Sequence, residues 1–212
     1  MRDVEGLLID FGGVLTTSLG EAFEAFCARE GVDHRRLRDV LRIAYHDEDP
    51  EHFVSLVETG QIEVGEFERR LAEVFSEGLH RPVEARGLVE RMVGDIELDD
   101  AMVDLVRRAR AAGIRTALVS NSWGLHYYPT DLLHELFEAV VISGEVGLRK
   151  PHADIYELAA ARLGLPPEAC LFVDDFGPNV AAAEWIGMRG YHHEDTDRSV
   201  KELADLLSLP PA

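Results

Sequence analysis

Leu7-Leu8-Ile9-Asp10-Phe11-Gly12-Gly13-Val14-Leu15 is the stretch whose reading decides the fold of this chain. Residues 7–9 are apolar without alternation, the pattern of a strand covered on both faces in a parallel sheet. The run ends in a carboxylate, Asp10, and a turn whose two glycines let backbone approach a ligand closely. Ligands of open parallel sheets bind in the crevice beyond the carboxyl ends of the strands, so Asp10 is presented rather than hidden.

Outward from that strand the pattern changes twice. Residues 19–98 read as consecutive amphipathic helices, with Phe23, Phe26 and Cys27 in one, Leu37, Val40 and Leu41 in another, and Phe67, Leu71 and Val74 in a third. Gly31, Asp49-Pro50, Gly60 and Pro82 punctuate them. From residue 99 onward helix and strand alternate. A helix carrying Met102, Leu105, Val106 and Ala109 stops at Gly113, and Thr116-Ala117-Leu118-Val119 runs into Ser120-Asn121-Ser122. A helix around Leu132, Leu133 and Leu136 leads to Val140-Val141-Ile142, a helix over 155–163 stops at Gly164, and Leu171-Phe172-Val173 runs into Asp174-Asp175. This alternation predicts an α/β fold, a Rossmann-like parallel sheet with flanking helices built from residues 1–18 and 99–212. Residues 19–98 form a helical bundle inserted after the first strand, and the end of the chain, Leu209-Pro210-Pro211-Ala212, reads as a short tail.

The chain has 212 residues, 46% of them hydrophobic, enough for a full core. Its 40 acidic residues outweigh 21 basic ones, a formal charge of −19 that repels a phosphate backbone or an anionic membrane, so nucleic acid and membrane are not expected partners. An anionic small molecule needs local help from a metal ion or a few placed cations. Cys27 and Cys170 form no Cys-x-x-Cys pattern, and no leader or spanning segment is read, which together predict a cytoplasmic protein; the sequence leaves a monomer or a homodimer open.

A parallel sheet brings Asp10, Ser120, Asp174 and Asp175 to one edge. Crowded carboxylates raise one another's pKa unless a cation neutralises them, and an all-oxygen site of this kind suits Mg²⁺. Lys150, before Pro151 in a loop leading into a helix whose first turn suits proline, points an ammonium back at the crevice. With Ser120 and Asn121 as hydrogen-bond donors, the set can hold a phosphoryl group in line with a carboxylate nucleophile. The reading is phosphoryl transfer through an aspartyl phosphate.

With these motifs in order, the chain resembles the haloacid dehalogenase-like hydrolase superfamily over nearly its whole length. The segment Phe172-Val173-Asp174-Asp175-Phe176-Gly177-Pro178-Asn179 is similar, more narrowly, to sugar-1-phosphate phosphatases and the N-terminal phosphatase domain of soluble epoxide hydrolase. Those relatives carry a helical cap of the C1 type after the first motif, with a Glu-x-Gly-x-Ile stretch like Glu58-Thr59-Gly60-Gln61-Ile62. The resemblance implies Asp10 as nucleophile, Ser120 and Lys150 as second and third motifs, and Asp174 with Asp175 as the acidic fourth. It implies Mg²⁺ on Asp10, the Gly12 carbonyl and Asp175 with Asp174 close by, and Asn179 as a supporting residue. The implied activity is hydrolysis of a small phosphorylated metabolite.

One position departs from the family. Its phosphatases usually carry a second aspartate two residues after the nucleophile as general acid and base, and here that position is Gly12. Positioned acid–base catalysis is worth about 10² to 10⁴ in rate. Either the substrate has a good leaving group, such as an anomeric, acyl or aryl phosphate, or the acid is replaced by water or by a bundle residue such as His46, Asp47 or Glu58. The alternatives are a 2-haloacid dehalogenase, against which the paired Asp174 and Asp175 argue, and a catalytically weak module that binds a phosphorylated ligand or a protein. Trp123, His126, Tyr127 and Tyr128 are placed either at the substrate entrance or against the cap, and His192-His193-Glu194-Asp195 is read as a solvated polar loop rather than a metal site.

Overall fold

A computed structural model describes residues 4–46, 49–77, 79–124 and 127–210. Five parallel strands form one sheet: β1 (Gly6–Ile9), β2 (Arg115–Ser120), β3 (Ala139–Ile142), β4 (Cys170–Asp174) and β5 (Arg189–His192), in the order β3-β2-β1-β4-β5. The chain builds outward from β1 through β2 to β3, then crosses back to lay β4 on the other side of β1. The strand order therefore reverses between β1 and β4, and the crevice at such a switch point is where open α/β sheets bind ligands. Asp10 follows β1 directly and Asp174 ends β4, so the two acids flank that crevice.

Both faces of the sheet are covered, which is why residues 7–9 are apolar without alternation. Leu7 and Ile9 pack with Leu118 and Val173 against α6 (Asp100–Ala111), α7 (Thr130–Leu136) and α11 (Thr196–Leu206). Leu8, Val119 and Phe172 pack on the opposite face against α9 (Ala153–Arg162) and α10 (Gly177–Trp185). Leu7, Leu8 and Ile9 have no exposed surface, and burial of each contributes about 1.5–3 kcal/mol.

Residues between β1 and α6 form α1 (Leu19–Glu30), α2 (His34–His46), α3 (Phe53–Glu58), α4 (Val64–Ser76) and α5 (Leu88–Val93) around a cluster of their own that includes Phe26, Phe67, Leu71 and Phe75. Ser18 caps α1 by accepting from the Glu21 N–H, and Gly31 ends it in the left-handed conformation (φ 71°). The two chain crossings into the bundle run antiparallel: Thr17 N–H donates to the Glu97 carbonyl (2.8 Å) and Asp99 N–H to that of Leu15 (2.9 Å). Trp123, which follows β2, joins the bundle's cluster.

Two local expectations are corrected. Pro151 does not open a helix; α9 begins at Ala153, and the turn at 150–151 precedes it. The segment 192–195 is solvated at His192, Glu194 and Asp195, as read, but not at His193. His193 is buried because its N–H extends the ladder to the Asp174 carbonyl (2.9 Å) and its Nδ1 meets Ser199 Oγ (2.9 Å), while Asp195 caps α11. No helix among the described residues is long and apolar enough to cross a membrane.

Candidate active site

Asp10, Ser120, Lys150, Asp174 and Asp175 come together at the carboxyl ends of β1, β2 and β4. Lys150 Nζ lies 2.8 Å from Asp10 Oδ1 and 2.6 Å from Asp174 Oδ2, with both Lys150 and Asp174 at 1% exposure or less. Asp10 Oδ1 also accepts the Phe11 N–H (2.7 Å). Among the described residues no hydrogen bond reaches its Oδ2. Asp174 is saturated: besides Lys150 it accepts the Phe176 N–H (2.8 Å) at Oδ1 and the Asn179 amide at both oxygens (3.1 Å).

Carboxylate oxygens of Asp10, Asp174 and Asp175 lie within 4.8 Å of one another. Burial pushes the Asp10 carboxyl up to about 7; the Lys150 ammonium opposes this, and Asp174 and Asp175 add to it. Burial and then Asp174 push Asp175 up to about 6. Burial pulls Lys150 down, but the Asp10 and Asp174 carboxylates outweigh it and hold the ammonium above its ordinary value. One ammonium facing three acids leaves negative charge that a hard divalent cation would neutralise with oxygen donors alone, so the residues present fit Mg²⁺. Asp10, Asp175 and the Gly12 carbonyl are the donors with capacity to spare, because Asp174 is committed to Lys150 and Asn179.

Gly13 makes this crowding sterically feasible. Its φ is 76°, and a Cβ there would sit 2.2 Å from Asp175 Oδ2. Gly13→Ala is expected to push Asp175 away from Asp10 and weaken Mg²⁺ binding at least about tenfold, with a left-handed backbone penalty of about 1–2 kcal/mol. Calorimetric Mg²⁺ titration and thermal denaturation of the variant check both effects.

The remaining expected residues are distributed as follows. Ser120 Oγ sits 2.8 Å from the Tyr128 hydroxyl. The Asn121 side chain is spent on the chain around it: Oδ1 accepts the Lys150 N–H (2.8 Å), and Nδ2 donates to the Lys150 carbonyl (3.0 Å) and Glu58 Oε2 (3.3 Å). Asn121 thus fixes the Lys150 loop. Asp47 and His126 lie outside the described residues, and so does the side chain of His46.

Glu58 ends α3, 1% exposed, and its carboxylate meets the core rather than a reacting atom. It accepts from the Tyr45 hydroxyl and from Trp123 Nε1 (3.1 Å). Arg149 Nε lies 2.8 Å away, an ion pair whose N–H is not aligned as a hydrogen bond. Burial raises the Glu58 carboxyl and Arg149 pulls it back. With both oxygens engaged, Glu58 is a poor proton donor. Arg149 is buried too; its Nη1 donates to Ser55 Oγ (2.6 Å), and its guanidinium lies 4.8 Å from the centre of the Tyr45 ring. Reading the sequence alone did not single out Arg149 or Tyr45, because their partners lie on a distant helix and a distant loop.

One cavity of about 800 Å³ lies between the sheet edge and the bundle, lined by Asp10, Gly12, Ser120, Lys150 and Asp175 on one side and by Leu19, Phe23, Glu58 and Trp123 among others. Its size lies within the range of small-molecule sites.

A model described as haloacid dehalogenase-like hydrolase matches residues 4–187. The chain is 25% identical over 215 residues to mouse acyl-CoA dehydrogenase family member 10, covering 99% of this chain and 20% of that protein. It is 28% identical over 117 residues to a sesquiterpene phosphatase of Aspergillus oryzae, covering 54% of this chain and 60% of the relative. The chain therefore spans about a fifth of the first relative and three fifths of the second. The fold is similar to that of a HAD family enzyme from Bacteroides thetaiotaomicron solved with magnesium and inorganic phosphate (TM-score 0.65, 20% identity, 90% of this chain and 94% of that chain).

Proposed function

Because the chain belongs to the haloacid dehalogenase-like hydrolase family, a hydrolase family, we propose that it is a Mg²⁺-dependent phosphomonoesterase that forms an aspartyl phosphate on Asp10. The observation that carries this reading is the triad of acids around a buried lysine, with Asp10 lining a cavity of about 800 Å³. The relative named as a phosphatase and the similar fold solved with magnesium and phosphate support the same reaction class.

Each residue then has a task. The Phe11 N–H and Lys150 fix Asp10 through Oδ1 and aim Oδ2 at phosphorus. Asp174, tethered by Asn179, holds Lys150 where its ammonium also faces a phosphoryl oxygen. Ser120 donates to a second phosphoryl oxygen, and Asn121, its side chain holding the Lys150 loop, has its main-chain N–H to offer. Asp10, the Gly12 carbonyl and Asp175 would hold Mg²⁺, with Asp174 behind them; bound there, the ion neutralises the acids and polarises the phosphoryl group. Residues 19–98 serve as the cap that covers the core of residues 1–18 and 99–212 and keeps water from the site. The substrate is a small phosphorylated metabolite. Inorganic phosphate release from a panel of phosphate monoesters, with and without Mg²⁺, tests the reading; Mg²⁺-independent release, or none from any member, overturns it.

The raised acids give a pH signature. A carboxyl titrating near 7 must shed its proton before it can ligate a cation, so the apparent Mg²⁺ affinity is expected to fall as pH drops from 8 to about 5.5. Stability without metal runs the other way. The native state holds protons that the unfolded chain has already lost, so stability falls as pH rises from about 4 through 7. Melting temperatures across this window are expected to decline without Mg²⁺ and to recover with it at the alkaline end.

A further inference from the structure

Resting on that phosphatase reading, we infer that the cavity selects phosphate monoesters of phenols: a rigid aromatic body that leaves as a phenolate without being protonated by the enzyme. Two independent observations converge on this class.

The first concerns the leaving side. A side chain at position 12 would start 2.6 Å from Leu19 Cδ1, so the space where an acid could stand holds a leucine methyl. Of the bundle acids lining the cavity, Glu58 has its oxygens engaged by Tyr45, Trp123 and Arg149, and Asp39 and Glu97 are exposed to solvent. An aliphatic alcohol leaves poorly without a proton. A phenol, with a pKa of about 10 like the tyrosine side chain, leaves as its anion far more readily.

The second concerns the body of the substrate. Phe23 and Trp123 stack nearly parallel in the wall, 5.6 Å apart at 3°. The polar tips of the aromatic wall are already used: the Tyr45 hydroxyl and Trp123 Nε1 on Glu58, the Tyr128 hydroxyl on Ser120, and the Tyr127 hydroxyl on the Trp123 N–H. Sugar hydroxyls lying against this aromatic wall would lose water without finding partners, at about 1–3 kcal/mol each. Of the large apolar side chains exposed among the described residues, Leu98 (41%) and Phe176 (38%) both line this cavity, where an aromatic body would cover them. Apart from Glu58 and the residues at the sheet edge, the charged lining residues Arg38, Asp39, Arg42 and Glu97 are exposed. A small acyl phosphate would leave the apolar space unfilled.

The reaction balances with water alone. Asp10 Oδ2 bonds to phosphorus as the P–O(aryl) bond breaks, and its electron pair departs on the phenolate. Water then adds to the phosphorus of the aspartyl phosphate, expelling the carboxylate of Asp10 and giving dihydrogen phosphate, which passes one proton to the phenolate through solvent.

The test compares kcat/KM for four probes with Mg²⁺: 1-naphthyl phosphate, n-octyl phosphate, glucose 1-phosphate and acetyl phosphate. Naphthyl phosphate is expected to exceed octyl phosphate and glucose 1-phosphate by at least about 10²-fold. Phe23→Ala is expected to penalise naphthyl phosphate at least about tenfold more than acetyl phosphate, chiefly through KM. Leu98→Ala, at an exposed position that leaves folding intact, shifts the same ratio in the same direction. Octyl phosphate or glucose 1-phosphate matching naphthyl phosphate, or neither variant altering the ratio, overturns the substrate class while Asp10-dependent phosphate release continues. Absence of Asp10-dependent release even from activated acetyl phosphate overturns the phosphatase reading itself.

Discussion

Asp10→Asn is expected to cut inorganic phosphate release at least about 10³-fold and to leave the protein folded. The amide keeps the shape of the side chain and can still accept the Phe11 N–H and face Lys150, but it cannot form an acyl phosphate. The same change removes one of three mutually repelling acids from a buried position, and Lys150 retains Asp174 at 2.6 Å. Its melting temperature in the absence of Mg²⁺ is therefore expected to equal or exceed that of the parent at pH 8. Loss of activity together with a rise in stability is a signature that simple misfolding cannot produce. A variant that keeps its rate would show that Asp10 is not the nucleophile.

Arg149→Met carries the largest expected stability effect. Its guanidinium neutralises Glu58 inside a closed environment, each partner at 5% exposure or less. Removing the cation strands a carboxylate among Tyr45 and Trp123, and breaking a buried pair this way costs about 3–5 kcal/mol. In a chain of this size that lowers the melting temperature by roughly 6–20 °C. Adding Glu58→Gln should recover much of the loss, because the glutamine still meets Tyr45 and Trp123 without bearing a charge. Thermal unfolding of the two single variants and the double variant measures the coupling. Equal losses in Arg149→Met and the double variant would mean the pair contributes packing alone.

The architecture was legible wherever burial was total. Residues 7–9, 116–119 and 171–173 are covered on both faces, and an uninterrupted apolar run ending in a polar residue marks such a strand without ambiguity. The acids and Ser120 followed, because strand ends carry them in register. β5 gives no such signal: Arg189-Gly190-Tyr191-His192 is an edge strand with one side open, and its place is fixed by pairing with β4. Lys150 could be placed by its motif, whereas the role of Asn121 could not, since both ends of its amide answer to groups far along the chain. Leu19 filling the space beside Gly12 was equally hidden, because a glycine's neighbour is set by how α1 is docked and not by local sequence.

Trp123 departs from the sheet yet packs between Phe23 and Phe67 of the bundle, at 5.6 and 5.2 Å. The paired crossings at Thr17 and Asp99 join the bundle to the core, and the indole together with the Arg149–Glu58 pair ties residues beyond the sheet into the bundle interior. On the phosphatase reading, a rigid swing of the bundle would have to break those contacts, so substrate and product are expected to pass by local motion near the exposed Leu98 and Phe176 side chains that line the cavity.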